Sequence, residues 1–313
     1  MPDLQLHDDG QLRHLLSLSG LGRDRIGGLL DRAAALRAAA RNGELPPLLA
    51  GRTVVNLFFE PSTRTRTSFE LAARRLGALV VNFDIAHSST RKGESLDDTL
   101  ATLEAMQADA FVVRHKENGT PLRLAAHVRH ATILNAGDGN RAHPTQGLLD
   151  LLTIRDRKGH IDGLKVTICG DIRHSRVARS DLHGLAAFGV RDIRLCGPAH
   201  LLPAPDEAPG CTLDENFDAA IEGVDVIIML RVQKERMEGA PGLDEEAYFA
   251  HWGLSAARLA RARPDAIVMH PGPMNRGVEI ADEVADGPQS AILDQVANGV
   301  FVRMAALAEL LQR

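Results

Sequence analysis

Short apolar segments alternate along this chain with longer segments in which apolar residues recur every three or four positions. The short segments are rich in Val, Ile and Leu, as in strands buried on both faces of a sheet, and the longer ones have the period of amphipathic helices. Strands that alternate with helices form mostly parallel sheets, so the pattern predicts an α/β fold. The predicted strands are Thr53–Phe59, Leu79–Phe83, Ala110–Val113 and Thr132–Asn135, followed by a second series at Leu164–Gly170, Asp192–Cys196, Val224–Leu230 and Ala266–His270.

The two series of strands predict two doubly wound domains with parallel sheets. Ligands of such sheets bind at the carboxyl ends of the strands, so we expect the active-site cleft between the two domains. The first domain is predicted to comprise residues 1–148 plus 291–313, and the second residues 149–290. The predicted helices are Leu12–Ser19, Arg23–Arg41, Ser68–Leu76, Ser95–Gln107, Leu122–His130, Leu148–Arg157 and Ser290–Leu311.

The composition is that of a globular protein with room for two domains: 313 residues, 44% hydrophobic and 25% charged. A net charge of −5 argues against a nucleic-acid partner. No apolar run is long enough to cross a membrane, and the first residues do not form a secretory signal. Cys169 and Cys196 lie in strand segments without a CxxC pair, which predicts reduced core residues of a cytoplasmic protein.

The segment Pro61–Arg66, with the sequence PSTRTR, lies between a predicted strand and a predicted helix. A helix N-terminus has free backbone N–H groups and a partial positive charge, and here hydroxyls and guanidinium groups are added to it. This set of donors predicts a site for an anion with several oxygens, such as a phosphate. The alternative is structural, with Ser62 or Thr63 as an N-cap and Arg66 paired with Glu70.

Four further motifs follow in order, and together with PSTRTR the sequence resembles the aspartate/ornithine carbamoyltransferase family from about Leu12 to the last helix. The resemblance implies that the last helix packs on the first domain. It also implies transfer of a carbamoyl group from carbamoyl phosphate to an amine, through a tetrahedral intermediate that loses phosphate. That reaction depends on positioning and charge stabilisation and needs neither a metal nor a cofactor. The motifs are Ser88–Ser95, His143–Gln146, Arg231–Arg236 and His270–Pro273.

The resemblance implies a carbamoyl phosphate site made mainly by the first domain. Arg64 is expected to stabilise the leaving phosphate as well as bind it, and Arg114 to reach both phosphate and carbonyl oxygen. Thr65 and His143 would complete the donors to that oxygen. Without the resemblance, Arg114 could be a surface arginine, His143 a structural residue and Gln146 an exposed one. The full expected set is Ser62, Thr63, Arg64, Thr65, Arg114, His143, Gln146, Gly272 and Pro273.

The second domain is expected to bind the amine substrate. Arg176 and Arg231 each follow a predicted strand, and two arginines suit the two carboxylates of aspartate rather than the single one of ornithine. Gln233 is expected beside them. The resemblance also implies a cis Gly272–Pro273 bond, where the alternative is an ordinary Pro-rich turn.

The resemblance implies that the loop around Ser88–Ser95 enters the site of a neighbouring subunit. Lys92, together with Ser88 or Ser89, would then act in trans, with Lys92 binding aspartate. Shared sites require at least a homotrimer closed by cyclic symmetry. The sequence leaves open whether regulatory or dihydroorotase-like chains join the trimer.

Three other interpretations remain. The nearest is transfer to ornithine or another amine; the ornithine branch of the family typically has Cys where this chain has Thr145, and a His-Cys-Leu-Pro loop where it has His270–Pro273. The Arg-Val-Gln-Lys-Glu-Arg run also favours the aspartate branch, whose product feeds pyrimidine biosynthesis. A nucleotide-binding dehydrogenase is disfavoured, because Gly170 is not followed by a GxGxxG pattern. A non-catalytic chain on the same fold is disfavoured because every expected catalytic position is present.

Overall fold

The computed structural model describes residues 2–83, 95–232 and 244–312, and it divides into two compact units. Unit 1 consists of Met1–Leu149 and Ala297–Arg313, and unit 2 of Asp150–Val296. The chain therefore leaves unit 1 once and returns to it once. Within the described residues, no helix has the length and apolar character needed to span a membrane.

Four parallel strands form the sheet of unit 1. Strands β3 and β4 are buried almost throughout, because their Val, Ile, Leu and Phe side chains have helices or chain segments on both faces. Strand β2 lies at an edge and is mostly exposed. The order is β2-β1-β3-β4 for β1 (Thr53–Phe58), β2 (Leu79–Asn82), β3 (Ala110–His115) and β4 (Thr132–Asp138).

Five parallel strands form the sheet of unit 2, in the order β7-β6-β5-β8-β9. All the predicted strands are present, and β7 is an addition of three residues that is too short to stand out in the sequence. Cys169 and Cys196 are buried, free thiols in the core, as expected. The strands are β5 (Lys165–Cys169), β6 (Asp192–Cys196), β7 (Thr212–Asp214), β8 (Val226–Met229) and β9 (Ile267–Met269).

The helices surround the two sheets, which confirms the predicted α/β class. Several bounds differ from the prediction: the helix after the PSTRTR motif begins at Thr63, another begins at Pro144, and the helix predicted at Leu122–His130 is shorter. The helices are α1 (Pro2–Gln5), α2 (Gly22–Arg41), α3 (Thr63–Arg75), α4 (Leu96–Ala105), α5 (Thr120–Ala125), α6 (Pro144–Lys158), α7 (Arg176–Ala187), α8 (Phe217–Ala220), α9 (Glu245–Trp252), α10 (Ala256–Leu259), α11 (Asp282–Ala285) and α12 (Ile292–Leu311).

The predicted helix Leu12–Ser19 is wrong, because this segment runs extended beside β4. The Leu15 N–H donates to the Ile133 carbonyl at 2.9 Å, and the Asn135 N–H donates to the Leu15 carbonyl at 2.9 Å. His14 is fully buried, and its Nδ1 accepts from the Ile133 N–H at 2.9 Å. The leucines that suggested a helical face are instead buried by an extended segment along the edge of the sheet.

Helix α12 packs on α2 in unit 1, which confirms the return of the last helix to the first domain. Arg32 of α2 forms a 2.6 Å ion pair with Glu309, and Arg37 donates to Asn298 Oδ1 at 2.5 Å. The guanidinium carbon of Arg303 also lies 5.1 Å from the centre of the Phe69 ring on α3. Apolar burial along α12 and these polar contacts together complete the core of unit 1.

Candidate functional site

The predicted anion-binding residues of unit 1 lie at the carboxyl ends of three adjacent strands. Phe58, the last residue of β1, is in register with Arg114 of β3, and His115 is in register with Asp138 at the end of β4. Helix α3 begins shortly after β1, and α6 begins directly after His143. The topology therefore brings the N-terminus of α3, the Arg114 side chain and His143 to one edge of the sheet, where ligands of such sheets bind.

The N-terminus of α3 has exposed residues and lacks a side-chain cap from Ser62. Ser62 is extended, with φ −160° and ψ 91°, and its side chain makes no capping hydrogen bond. Thr63 and Arg64 are exposed, whereas Thr65 is buried. The structural alternative, in which a Ser62 hydroxyl caps the helix, is therefore not what the structure has. The first backbone N–H groups of α3 can instead face an anion.

The expected Arg66–Glu70 pair is replaced by two other contacts. The Glu70 carboxylate accepts from Asn82 Nδ2 at 2.8 Å and from Arg74 Nε at 2.9 Å. These hydrogen bonds, from Asn82 first and Arg74 second, lower the pKa of Glu70, and the charge of Arg66 adds only a small effect. The Arg66–Glu70 pair of the structural alternative is therefore wrong, because Arg74 and Asn82 occupy the carboxylate.

Arg114 is held at the sheet edge by two neighbouring segments. Its Nη2 lies 3.0 Å from Glu60 Oε1, and its Nη1 donates to the Ala136 carbonyl at 3.3 Å. Arg114 is only 9% exposed, so it is not a surface arginine. Glu60 was missed at the sequence level, although its signal is simple: it is the one acid between β1 and the PSTRTR motif.

His143 and Gln146 are both buried at the start of α6, which excludes the alternative of an exposed Gln146. The preceding segment belongs to β4, which continues to Asp138, beyond its predicted end at Asn135. Asn135 fixes the segment: its Oδ1 accepts from the Gly137 N–H and its Nδ2 donates to the Leu16 carbonyl, each at 2.8 Å. The imidazole and the amide are thus positioned by a buried backbone.

The predicted residues of unit 2 also follow three adjacent strands. Strand β5 pairs with β8, and β8 with β9, in parallel register. Arg176 is the first residue of α7, which the Ser175 hydroxyl caps by accepting from the Ala178 N–H at 3.1 Å, and Arg176 is 7% exposed. Arg231 follows β8 and is partly buried. Gly272 follows β9, so the same edge of this sheet carries all three.

Buried acids hold the loops of this edge, and sequence reasoning missed them. Glu279 accepts from the Val232 N–H at 3.0 Å, the Asn275 N–H at 2.7 Å and Asn275 Nδ2 at 2.8 Å. Burial raises the pKa of Glu279 against these hydrogen bonds. Asp171 is fully buried as well, and it contacts the His174 ring at 2.8 Å. A buried acid cannot be told from a surface acid by residue type alone.

The turn after β9 has the geometry that the resemblance implied. The Gly272–Pro273 bond is cis, and Gly272 has φ +65°. The Gly272 N–H donates to His270 Nδ1 at 2.8 Å, and the His270 N–H donates to Gln295 Oε1 at 2.9 Å. The turn is therefore tied to α12 through His270.

Four predicted site residues lie outside the described residues: Ser88, Ser89, Lys92 and Gln233. Their placement is not part of the geometry above. Within the ranges that the structure describes, no group of three or more His, Cys, Asp and Glu side chains is arranged to hold a metal ion.

Known proteins are similar in sequence to this chain over nearly its whole length. Its sequence is 59% identical over 315 residues to the aspartate carbamoyltransferase catalytic subunit of Xanthomonas campestris pv. campestris, which covers 99% of this chain and 100% of the relative. It is 57% identical over 311 residues to the subunit of the same name from Stenotrophomonas maltophilia, with 98% of both chains covered.

Solved structures show the same likeness. The aspartate transcarbamoylase of Trypanosoma cruzi in complex with carbamoyl phosphate and aspartate has a TM-score of 0.89 and 34% identity, covering 99% of this chain and 100% of that one. The complex of the same enzyme with N-(phosphonacetyl)-L-aspartic acid has a TM-score of 0.89 and 35% identity over 99% of both chains.

Family matches divide the sequence as the two sheets do. Residues 13–156 match the carbamoyl-P binding domain of aspartate/ornithine carbamoyltransferase, and residues 162–310 match its Asp/Orn binding domain. The chain belongs to the aspartate/ornithine carbamoyltransferase family.

Proposed function

We propose that this chain transfers the carbamoyl group of carbamoyl phosphate to the amino group of L-aspartate, giving N-carbamoyl-L-aspartate and phosphate. The product would enter pyrimidine biosynthesis in the cytoplasm. The observation that carries the proposal is the meeting of the α3 N-terminus, Arg114 and His143 at one edge of the unit 1 sheet. The names of the relatives, all aspartate carbamoyltransferases, support the same substrate pair.

Unit 1 would bind carbamoyl phosphate. Its phosphate would lie at the N-terminus of α3, where the PSTRTR hydroxyls, the Arg64 guanidinium and free N–H groups supply donors. Arg114, His143 and Thr65 would donate to the carbonyl oxygen as it gains charge in the tetrahedral intermediate. In this proposal Gln146 binds the carbamoyl amide, and the departing phosphate takes the proton of the attacking amine.

Unit 2 would bind aspartate. Arg176 and Arg231 each offer a planar pair of donors that matches a carboxylate, and aspartate has two carboxylates. Ornithine would put an ammonium where the second carboxylate is expected, so an arginine there would repel it. The turn at Gly272 and Pro273 would meet the carbamoyl amide through the backbone carbonyl of Gly272. The cleft between the domains stays a prediction.

Purified protein offered carbamoyl phosphate with aspartate or with ornithine tests the proposal. We expect release of phosphate and formation of N-carbamoyl-L-aspartate with aspartate alone. Turnover with ornithine would support the carbamoyl phosphate site but overturn the role of the paired arginines in selecting aspartate. No turnover with either amine would support the non-catalytic interpretation.

A homotrimer with shared sites is the assembly that we propose. Its support is an open sheet edge: β2 pairs only with β1 among the described strands, and Leu79 and Val81 on it are 64% and 38% exposed. Leu71 on α3 is exposed as well, and exposed apolar groups next to an open edge favour association. Ser88 or Ser89, Lys92 and Gln233 would complete each site, the first three from the neighbouring subunit.

Mixing two inactive variants tests the shared sites. Lys92→Ala and Arg64→Ala chains would each lose activity alone, because each damages every site of its own trimer. Reassembled mixed trimers would contain some sites with both native residues, and partial activity would return. Verified mixed trimers without recovered activity would rule out a contribution of Lys92 in trans.

A further inference from the structure

Two aspartates face each other in the core of unit 2. Asp150 on α6 is 1% exposed and Asp181 on α7 is 2% exposed, and their carboxyl groups interact side chain to side chain. Neither side-chain oxygen of Asp181 accepts a hydrogen bond from an N–H or O–H donor among the described residues. Two ionised carboxylates this close and this buried would repel strongly, so a proton between them is the arrangement that physics favours.

A continuous series of hydrogen bonds leads from this pair to the turn after β9. Gln295 Nε2 donates to Asp150 Oδ1 at 2.6 Å, and Gln295 Oε1 accepts from the His270 N–H at 2.9 Å. His270 Nδ1 then accepts from the Gly272 N–H at 2.8 Å. Gln295 is itself 2% exposed, so water does not compete for these contacts.

We propose that Asp181 is a positioning residue: it shares one proton with Asp150, and the Asp150–Gln295–His270 series fixes the Gly272 turn in the geometry that carbamoyl transfer uses. The proposal rests on the proposed function, because it assigns the Gly272 turn to that reaction. Asp181 touches no substrate in this account and acts only through its neighbours.

The chemistry of an amide explains why the proton matters. Gln295 has a donor end and an acceptor end, and Asp150 decides which end faces it. With the proton shared between Asp181 and Asp150, Asp150 Oδ1 accepts from Gln295 Nε2. The Gln295 oxygen then necessarily faces the His270 N–H. Loss of the proton would place two negative charges in a dry site and push the two helices apart.

Burial and the charge of Asp150 are the influences on Asp181 among the described residues, and both raise its pKa. Among the described charged side chains of these helices, Arg176 of α7 and Arg303 of α12 are also buried, His183 of α7 is exposed, and Arg157 of α6 pairs with Asp294 of α12 at 3.1 Å. His270 is the next member of the series toward the turn. A decline of stability with rising pH would report on Asp181, because none of these side chains is among the influences on its pKa.

The first experiment measures the unfolding temperature of the whole protein against pH and needs no enzymatic activity. Because the folded state holds a proton that the unfolded aspartates release, native stability should fall as pH rises from the ordinary aspartate pKa toward the raised one. Asp181→Asn supplies an amide N–H that cannot dissociate, so its curve should lose this decline. A decline equal to that of the native protein would refute the shared proton.

The matched control is Thr167→Val in β5, which also removes a buried hydrogen bond of unit 2, from Thr167 Oγ1 to the Ala220 carbonyl at 2.6 Å. It should lower the unfolding temperature by about 2–4 °C at every pH, as loss of one hydrogen bond does. Because Thr167 has no link to the Gly272 turn, its steady-state kinetics should match those of the native protein.

The second experiment separates positioning from stability. Gln295→Met keeps the size of the side chain and breaks both hydrogen bonds, so we expect KM for carbamoyl phosphate to rise about tenfold. Asp181→Asn should extend activity to higher pH. If Gln295→Met changes only the unfolding temperature, as Thr167→Val does, the positioning role is wrong. If the native protein itself transfers no carbamoyl group, the proposed function fails, while the pH dependence of unfolding still decides the shared proton.

Discussion

Unit 1 and unit 2 both carry polar side chains at the carboxyl ends of three adjacent parallel strands, but the acids beside these side chains differ. In unit 1, Glu60 pairs with the Arg114 guanidinium, and the Glu60 side chain is 23% exposed. In unit 2, Glu279 is fully buried and binds backbone and amide N–H groups of two loops. The first acid occupies a donor of Arg114, which we propose to bind an anion, whereas the second holds the loops next to Arg231 and Gly272, for which we propose roles in ligand binding.

The two units also contain buried titratable groups of opposite kind. Burial lowers the pKa of His14 in unit 1 to about 3, so this imidazole stays neutral in the folded protein. Burial raises the pKa of Asp181 in unit 2, which favours the protonated form of this carboxyl group. Unit 1 is therefore expected to lose stability as pH falls below 6.5, and unit 2 as pH rises above the ordinary aspartate pKa.

The largest effect is expected in unit 1. Arg114→Ala would remove a donor to both the phosphate and the developing oxyanion, so kcat/KM should fall by about 10²–10³. Arg123→Ala is the matched control, because Arg123 is an exposed arginine of the same unit that pairs with Asp97 at 2.7 Å. Steady-state kinetics of both variants with carbamoyl phosphate and aspartate provide the measurement. Equal activities would show that Arg114 is structural only.

A smaller and more selective effect is expected in unit 2. Arg176→Lys and Arg231→Lys keep the positive charge but lose the bidentate contact with a carboxylate, worth about 1.5–3 kcal/mol. KM for aspartate should therefore rise by about 10–150-fold, while binding of inorganic phosphate stays unchanged. Arg194→Lys is the control, since Arg194 pairs with Asp192 at 2.9 Å in the same unit. A rise in KM for both substrates would contradict the division of roles between the units.

Acid unfolding should distinguish His14 from other histidines. The folded state excludes a proton that unfolded His14 takes up near its ordinary pKa of 6.5, so native stability should fall as pH drops from 6.5 toward 3. His14→Asn keeps an acceptor for the Ile133 N–H and should flatten this decline in urea unfolding. His160→Asn, at an exposed position, should leave the decline in place. A flat native curve would refute the neutral, buried imidazole.

The smallest effects test the two acids themselves. Glu279→Gln exchanges one acceptor of a buried, three-donor carboxylate for a donor and should cost about 1–3 kcal/mol of unfolding free energy. Glu60→Gln weakens a partly exposed ion pair and should cost about 0–1 kcal/mol. Chemical unfolding of the two variants side by side is the measurement. The comparison between the units would fail if Glu60→Gln were the more damaging change.

The sequence predicted the strands well, because they depend on local signals, and it placed polar residues directly after them. Runs of Val and Ile predict buried strands, and the PSTRTR motif indicated a helix N-terminus nearby, although α3 begins at Thr63 rather than at the predicted Ser68. Leu12–Ser19 was wrong for a physical reason: its leucine spacing fits a helix, but backbone partners in Ile133 and Asn135, far along the chain, hold it extended. Tertiary pairing outweighed local periodicity.

The burial and contacts of four acids could be recognised only in the structure. Glu60, Glu279, Asp150 and Asp181 look in the sequence like ordinary surface carboxylates, since a helix or loop position says little about burial when the neighbouring element is unknown. Their roles arise from contacts between distant segments, such as Asp150 with Gln295. Arg66 shows the same limit, because its expected partner Glu70 is occupied by Asn82, which lies on a different element.

The order of synthesis gives the division of the chain a further meaning. Unit 2 is one continuous stretch, while unit 1 needs residues 297–313 to complete its core, and the Arg32–Glu309 ion pair joins positions 277 apart. A chain that emerges from the ribosome at about 5–20 residues per second presents all of unit 2 before residues 297–313 have been synthesised. Synthesis of unit 1 would therefore begin first, but its core would be completed last. Its exposed apolar surface during that interval, rather than the folded protein, is where a chaperone would be needed.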